Sequence, residues 1–163
     1  MDVLKIAAFL SILLFASNSS AISDGEGLYS NCENRILAKY SGYRKATRDG
    51  RDTFDYFDVV YLYKHLEDSV SRRTVTQEEA ITQIARFMQS RDFITSKIAR
   101  VFRYSFRCDD ANATLIIQYS RNEEENLDYM RIEMRNHKII GMSEEWEDYA
   151  SNFDFTEWPV ELN

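Results

Sequence analysis

The chain has 163 residues, with 27 acidic and 20 basic side chains and a formal net charge of −7. Proteins that bind nucleic acids or anionic membrane surfaces cluster Lys and Arg, so this acidic balance argues against both kinds of partner. Five Gly and one Pro are too few for a disordered or low-complexity chain, and we find no internal repeat.

Residues 1–21 have the pattern of a signal peptide. Lys5 precedes an apolar run from Ile6 to Ala16, and the small residues Ser19 and Ala21 stand three and one before a cut after residue 21. The run is shorter than the roughly 20 residues that span a bilayer. An amphipathic or buried N-terminal helix is the alternative. We therefore predict secretion into the extracellular space and no membrane span.

Cleavage at this point leaves a chain of ordinary single-domain size, with a folded domain over 22–147 and an acidic, aromatic tail over 148–163. The two cysteines of an exported chain, Cys32 and Cys108, are expected to form a disulfide. Closing so long a loop stabilises the fold by roughly 4 kcal/mol through loop-closure entropy. A metal or reactive-thiol role is the alternative, but neither cysteine has a second Cys or a His at ligand spacing.

Three helices are predicted before residue 91. The first covers 23–43, where Cys32, Ile36, Tyr40 and Tyr43 recur at helical spacing. The second covers 53–69, although an alternation of apolar residues around Tyr61 leaves a strand as the alternative. The third follows a capping box from Thr76 to Glu79 and ends near residue 90. The short polar segment 71–74 between the last two could hold a strand.

Four antiparallel strands are predicted between residues 98 and 146. Their apolar faces match if two four-residue turns, at 109–112 and 123–126, set Phe102 opposite Tyr119 and Tyr119 opposite Met130. The last turn, near residues 136–137, is ambiguous. A turn of two residues points Ile139 inward. A turn of three residues points Ile140, Met142 and Trp146 inward, and we favour it because it buries more apolar surface.

This order of helices and strands, closing on Lys138-Ile139-Ile140-Gly141, resembles the nuclear transport factor 2-like superfamily, and most of all its small secreted members in invertebrates such as nematodes. The resemblance implies an α+β fold in which a curved antiparallel sheet of about four to six strands wraps around N-terminal helices as a cone with a pocket. The alternative helix-plus-sheet family, the cystatins, requires a Gln-x-Val-x-Gly loop that this chain lacks.

The pocket that this resemblance implies has seven candidate lining residues, all aromatic or imidazole side chains. They are Tyr61, His65, Phe102, Tyr104, Phe106, Tyr119 and Trp146. The alternative is that the aromatic residues simply fill the core, which is the more common case. An imidazole beside carboxylates can act as a general base, which makes His65 the one candidate for catalysis. No position matches a catalytic motif of the superfamily, however, so no catalytic residue is assigned. The acidic clusters lack the spacing of a calcium loop, and we predict neither a metal site nor a cofactor.

The resulting functional hypothesis is a secreted, non-enzymatic domain that binds a small apolar ligand in the cone or an extracellular protein partner. The alternative is a pocket lyase or isomerase of the ketosteroid isomerase or polyketide cyclase type. Asn112, in the sequon Asn112-Ala113-Thr114, is the predicted glycosylation site. A homodimer could form through the polar outer face of the sheet. The residues of that face are Arg103, Arg107, Gln118, Arg131, Glu133 and Arg135.

Overall fold

The computed structural model describes residues 28–72, 75–109, 111–121 and 127–163, with no side-chain information for 28–31 and 68–71. The predicted signal peptide therefore lies outside the described residues, as do residues 73–74 of the polar segment predicted as a possible strand. Within the described ranges the chain is an α+β protein with four α-helices and an open, five-stranded antiparallel sheet. No helix in these ranges is long and apolar enough to span a bilayer.

The elements follow one another in three helices, four strands, a short helix and a short strand. Their bounds are α1 Leu28–Arg48, α2 Val59–Ser71, α3 Gln77–Ser96, β1 Arg100–Asp109, β2 Asn112–Ser120, β3 Asp128–Arg135, β4 Lys138–Glu145, α4 Glu147–Ala150 and β5 Thr156–Glu157. The strands lie in the order β4-β3-β2-β1-β5, so that β4 and β5 are the edges. One face of the sheet packs on α1, α2 and α3 and is called the inner face; the other is the outer face.

The apolar stripe predicted for the first helix is confirmed. Ile36, Tyr40 and Tyr43 are fully buried against the sheet, and Cys32 is partly buried. The second predicted helix is interrupted instead. Phe57 forms a parallel bridge with Ile139 of β4, which takes the backbone out of helical geometry, and α2 begins only at Val59. The capping box on α3 is also confirmed, although that helix continues to Ser96.

The β1–β2 register is predicted correctly over most of its length. Cys108 lies opposite Ala113, and Tyr104 lies opposite Ile117, on the inner face. A β-bulge between Val101 and Arg103 then changes the alternation, so that Val101 rather than Phe102 lies opposite Tyr119. The predicted Phe102–Tyr119 pair is therefore wrong. Phe102 lies on the outer face, where its ring contacts the Arg100 guanidinium at 4.9 Å.

The β2–β3 register is offset by two residues from the prediction. Ile117 lies opposite Met130, and Tyr119 lies opposite Asp128, so each β2 residue pairs two positions earlier on β3 than predicted. A shift of two residues returns each side chain to the same face of a strand. The inner face therefore has the predicted composition despite the wrong pairs.

The last turn contains two residues, so the favoured three-residue turn is wrong. Asn136 and His137 have φ of 47° and 62°, the left-handed pair that a two-residue hairpin turn requires. A bulge on β4 next to Ile139 then allows both Ile139 and Met142 to point into the core. Trp146, which the longer turn would have buried, has 85% of its surface exposed.

The predicted disulfide between Cys32 and Cys108 is confirmed. It joins α1 to the far end of β1, and the Tyr104 hydroxyl, which donates to Glu33 at 2.6 Å, reinforces the same contact. Burial and the neighbouring Glu33 carboxylate raise the pKa of Tyr104 to about 12, so this hydroxyl remains a donor at physiological pH. The first helix is thus held on the inner face by a covalent bond and a hydrogen bond.

Asp92 of α3 joins three elements through hydrogen bonds. It accepts from the Tyr43 hydroxyl of α1 at 2.9 Å and from the Thr53 hydroxyl of the α1–α2 connection at 2.7 Å. Burial raises the pKa of Asp92, and the two hydroxyls partly offset this effect because they stabilise the carboxylate. Tyr43 and Thr53 are themselves buried, so their hydroxyls depend on this acceptor.

We expect Asp92→Ala to lower the free energy of unfolding by about 2 kcal/mol, because it leaves two buried hydroxyls without their acceptor. Asp92→Asn is the matched variant and should cost less. A carboxyl whose pKa is raised by folding contributes stability at low pH and loses it as pH rises through its folded-state pKa. Urea titrations between about pH 3 and pH 7 should therefore show wild-type stability falling relative to Asp92→Asn. A wild-type stability that rises with pH relative to Asp92→Asn would contradict a raised pKa for Asp92.

Candidate functional site

The space predicted as a pocket on the inner face is occupied by aromatic side chains of the core. Tyr119 is fully buried and Tyr104 is 5% exposed, and both belong to the hydrophobic core. The Trp158 ring fills the space beside Tyr104 and Tyr40, with ring centroids 5.7 and 6.2 Å away in edge-to-face geometry. Phe106 is half-buried and stacks on Tyr104 at 6.4 Å. Three of the seven predicted lining residues are therefore parts of the packed core.

The other four predicted lining residues lie elsewhere. Tyr61 and His65 are neighbours on α2, where the Tyr61 hydroxyl and His65 Nε2 are 2.7 Å apart. His65 is exposed. Phe102 lies on the outer face, and Trp146 lies beyond the end of β4. The structure thus does not bring the seven residues together into one pocket, and a ligand-binding role for them stays a prediction.

The unpaired edge of β4 is a surface that the sequence patterns did not predict. Only the start of this strand is covered, where Phe57 bridges Ile139 and the Asp58 amide donates to the Ile139 carbonyl at 3.0 Å. From Gly141 to Glu145 the outward edge pairs with no strand among the described residues. An open strand edge presents unpaired N–H and C=O groups to any extended chain that approaches it.

Trp146 stands directly at the end of this open edge. Exposed large apolar side chains are few in the described ranges, and Trp146 is the most exposed of them. Tryptophan is among the residues that most often dominate binding energies at protein interfaces. We name the strand segment from Gly141 to Glu145 together with Trp146 the β4 edge. Because it depends on where the sheet ends, a one-dimensional pattern cannot identify it.

The charge around the β4 edge is negative. Glu144 is paired with Arg121, which also pairs with Asp128 at 3.0 Å. Glu145, Glu147 and Asp148 form no ion pair in the part of the chain described here, although Glu145 accepts a hydrogen bond from Ser143. Three uncompensated carboxylates therefore surround Trp146, and they favour a positively charged partner.

The outer face of the sheet is partly covered by the C-terminal segment. Tyr149 and Phe153 lie beside Ile116 and Arg131 and border a groove of about 140 Å³. A wider groove of about 460 Å³ lies near Phe102 and Arg103. Four of the six polar residues predicted for a dimer interface form bonds within the sheet: Arg103 donates to Gln118, Gln118 donates to Tyr129, and Arg131 pairs with Glu133. A dimer through this face stays a prediction.

Asn112, the predicted glycosylation site, is exposed at the start of β2. Its occupancy by a glycan stays a prediction. Among the described residues, no group of three or more His, Cys, Asp or Glu side chains is placed to hold a metal ion.

Comparison with known proteins gives no match: no family profile, no curated protein and no solved structure is significantly similar to this chain.

Proposed function

We propose that this chain is a secreted, non-catalytic binding module that accepts an extended, positively charged segment of a partner protein along the β4 edge. The observation that carries the proposal is the 85% exposure of Trp146 at the end of a strand edge that, from Gly141 onward, pairs with no other strand among the described residues. Backbone groups of the edge supply hydrogen bonds to the added strand, and an anchoring side chain beside it supplies specificity.

The charge of the partner follows from the side chains around the anchor. Glu145, Glu147 and Asp148 lie within two positions of Trp146 and have no ion-pair partner within the described residues. A second copy of the same edge would bring these carboxylates against one another, so edge-to-edge dimerisation is disfavoured. Lys or Arg side chains of a partner would neutralise the carboxylates and could also stack on the indole ring.

Secretion is supported by two observations of different kinds. The Cys32–Cys108 disulfide fits an oxidising compartment, and residues 1–21 have the composition of a signal peptide.

We also propose that the sheet wraps the helices in the cone-like manner of the nuclear transport factor 2-like superfamily. Three helices followed by a bulged antiparallel sheet are compatible with that architecture. A lyase or isomerase would need a titratable group inside an apolar cavity, and no observation favours it over the binding module.

The strand-addition proposal can be tested with two short synthetic peptides of equal length and charge. In one Lys alternates with Val, and in the other Lys alternates with Pro, which lacks the N–H that a ladder requires. We expect the Val peptide to bind at least about tenfold more tightly, because only it can complete the backbone hydrogen bonds. Its addition should shift the backbone amide resonances from Gly141 to Glu145.

Trp146→Ala should weaken binding of the Val peptide about tenfold, the loss typical of an interface anchor. Phe93→Ala is the matched control, because Phe93 is 65% exposed but lies on α3, away from the β4 edge. Titration calorimetry of both variants measures the difference. Equal affinity for the two peptides, or equal losses in the two variants, would contradict strand addition. So would a stable dimer whose interface includes β4.

A further inference from the structure

A second surface, at the opposite end of β4, combines basic side chains from distant parts of the sequence. It consists of Arg35, Lys39, Arg135, His137 and Lys138, and we name it the turn patch. Two of these residues lie on α1, and three flank or form the β3–β4 turn. The turn patch shares no residue with the β4 edge, so the two surfaces can bind independently of each other.

Several contacts place the two parts of the turn patch together. Arg135 and Lys138 are direct cross-strand partners on either side of the turn. Arg35 and Lys39 are one helical turn apart and so lie on the same side of α1. Burial lowers the pKa of His137, and the positive charges of Arg35 and Lys39 lower it further. The geometry agrees: Lys39 lies 5.8 Å from the Tyr56 ring, and Phe57, the next residue, bridges Ile139 beside Lys138. The helix cations therefore lie close to the turn.

The positive charge of the turn patch is not neutralised internally. Arg35, Lys39, Arg135 and Lys138 form no ion pair with any described residue. Arg121, directly after β2, instead pairs with two carboxylates, Asp128 and Glu144. A chain with a net charge of −7 thus carries a compact group of unpaired cations. Such a group raises the local concentration of anions.

Aromatic rings lie directly beside these cations. The Lys39 ammonium is 5.8 Å from the centroid of the Tyr56 ring, and the Arg135 guanidinium carbon is 5.0 Å from that of Tyr61. Both rings are half-buried and leave part of their surface open. The apolar C–H faces of a pyranose ring pack against aromatic surfaces, while anionic substituents on the same ring pair with cations. The turn patch offers both kinds of contact within one surface.

We propose that the turn patch binds a sulfated glycosaminoglycan. Unpaired cations match the sulfate groups, the Tyr56 and Tyr61 rings match the sugar faces, and the Cys32–Cys108 disulfide fits the compartment where such polysaccharides occur. A nucleic acid matches less well, because a duplex presents charge along its whole length and this acidic chain offers a single patch.

The test uses a heparin-derived hexasaccharide and titration calorimetry on the full secreted chain carrying Asn112→Gln. Asn112 lies opposite Arg135 on the neighbouring strand, so this substitution prevents a glycan from covering the patch. We expect binding that weakens as salt is raised, and a loss of about tenfold in Arg135→Gln/Lys138→Gln. The control, Arg86→Gln/Lys97→Gln, removes the same charge from exposed positions of α3 and its C-cap, and should change affinity less than twofold.

Each alternative result overturns the proposal in a recognisable way. Equal losses in the two double variants would mean that overall charge, not the turn patch, controls binding. Equal affinity for the fully desulfated hexasaccharide would exclude sulfate recognition. A short DNA duplex that binds as tightly, and is lost in the same patch variant, would show a general polyanion site. Thermal unfolding of every variant confirms that it is folded, so a failure to bind is attributable to the surface.

Discussion

Removing the disulfide with Cys32→Ala and Cys108→Ala should lower the free energy of unfolding by about 4 kcal/mol. The bond closes a loop between residues separated by 76 positions. Its main effect is on the unfolded chain, which gains conformational entropy when the crosslink is removed. The folded state should change little, because the Tyr104–Glu33 hydrogen bond still holds α1 against β1. Circular dichroism should therefore remain close to that of the wild type.

Urea denaturation with and without a reductant separates the crosslink from local packing. The wild type should lose about the same 4 kcal/mol in the presence of reductant, whereas the double variant should be insensitive to it. Tyr104→Phe removes only the hydrogen bond to Glu33 and should cost about 1 kcal/mol. Equal stability of the oxidised wild type and the double variant would contradict a structural role for the disulfide.

The composition of the inner face could be predicted from the sequence because strand periodicity depends only on local order. Leu115 and Ile117 alternate with outward residues whether their partners on β3 are Ile132 and Met130 or residues two positions away. The disulfide could be predicted for a related reason: Cys32 and Cys108 each lie on an apolar stripe of their own element. The helical periodicity of α1 and the strand periodicity of β1 therefore each place a cysteine in the same core.

The bulges and the turn length could not be predicted in the same way. A bulge changes the alternation by one residue, and the side chains that decide it come from other elements. Phe102 moves to the outer face because Val101 takes its place opposite Tyr119. Trp146 is exposed because β4 ends at Glu145, so the residue that continues the inward alternation lies outside the sheet, at the N-cap of α4. Phe102 and Trp146 therefore do not line the space that was predicted as a pocket.

The net charge of the chain likewise did not predict how its charged side chains are distributed over the surface. The value of −7 argued against polyanionic partners, yet Lys39 of α1 contacts Tyr56, whose neighbour Phe57 bridges β4 beside the β3–β4 turn. The fold also gathers Glu145, Glu147 and Asp148 at the other end of β4. The hairpin of β3 and β4 thus has a basic and an acidic end. Two surfaces of opposite charge are compatible with two partners, which only tertiary structure can reveal.

Trp158→Ala should cost about 4 kcal/mol, which is as much as loss of the disulfide. Trp158 is 4% exposed and lies between Tyr40 of α1 and Tyr104 of β1. Its backbone amide donates to the Phe102 carbonyl at 2.9 Å, continuing the pairing of β5 with β1. Removal of the indole therefore leaves a cavity in the core and loosens the C-terminal segment from the sheet edge at the same time.

Two matched variants distinguish core packing from a loosely attached tail. Trp158→Phe keeps an aromatic ring against Tyr40 and Tyr104 and should cost only about 1–2 kcal/mol. The indole N–H is buried without a hydrogen-bond partner in the described part of the chain, so phenylalanine loses no such bond. Val160→Ala, two residues further on and 84% exposed, should change stability by less than about 0.5 kcal/mol.

Similar small effects of all three variants in urea denaturation would mean that residues after 155 contribute nothing to the core. A large effect confined to Trp158→Ala makes the C-terminal segment part of the folding unit, so the β4 edge and the turn patch must be tested on the chain with its C-terminus intact.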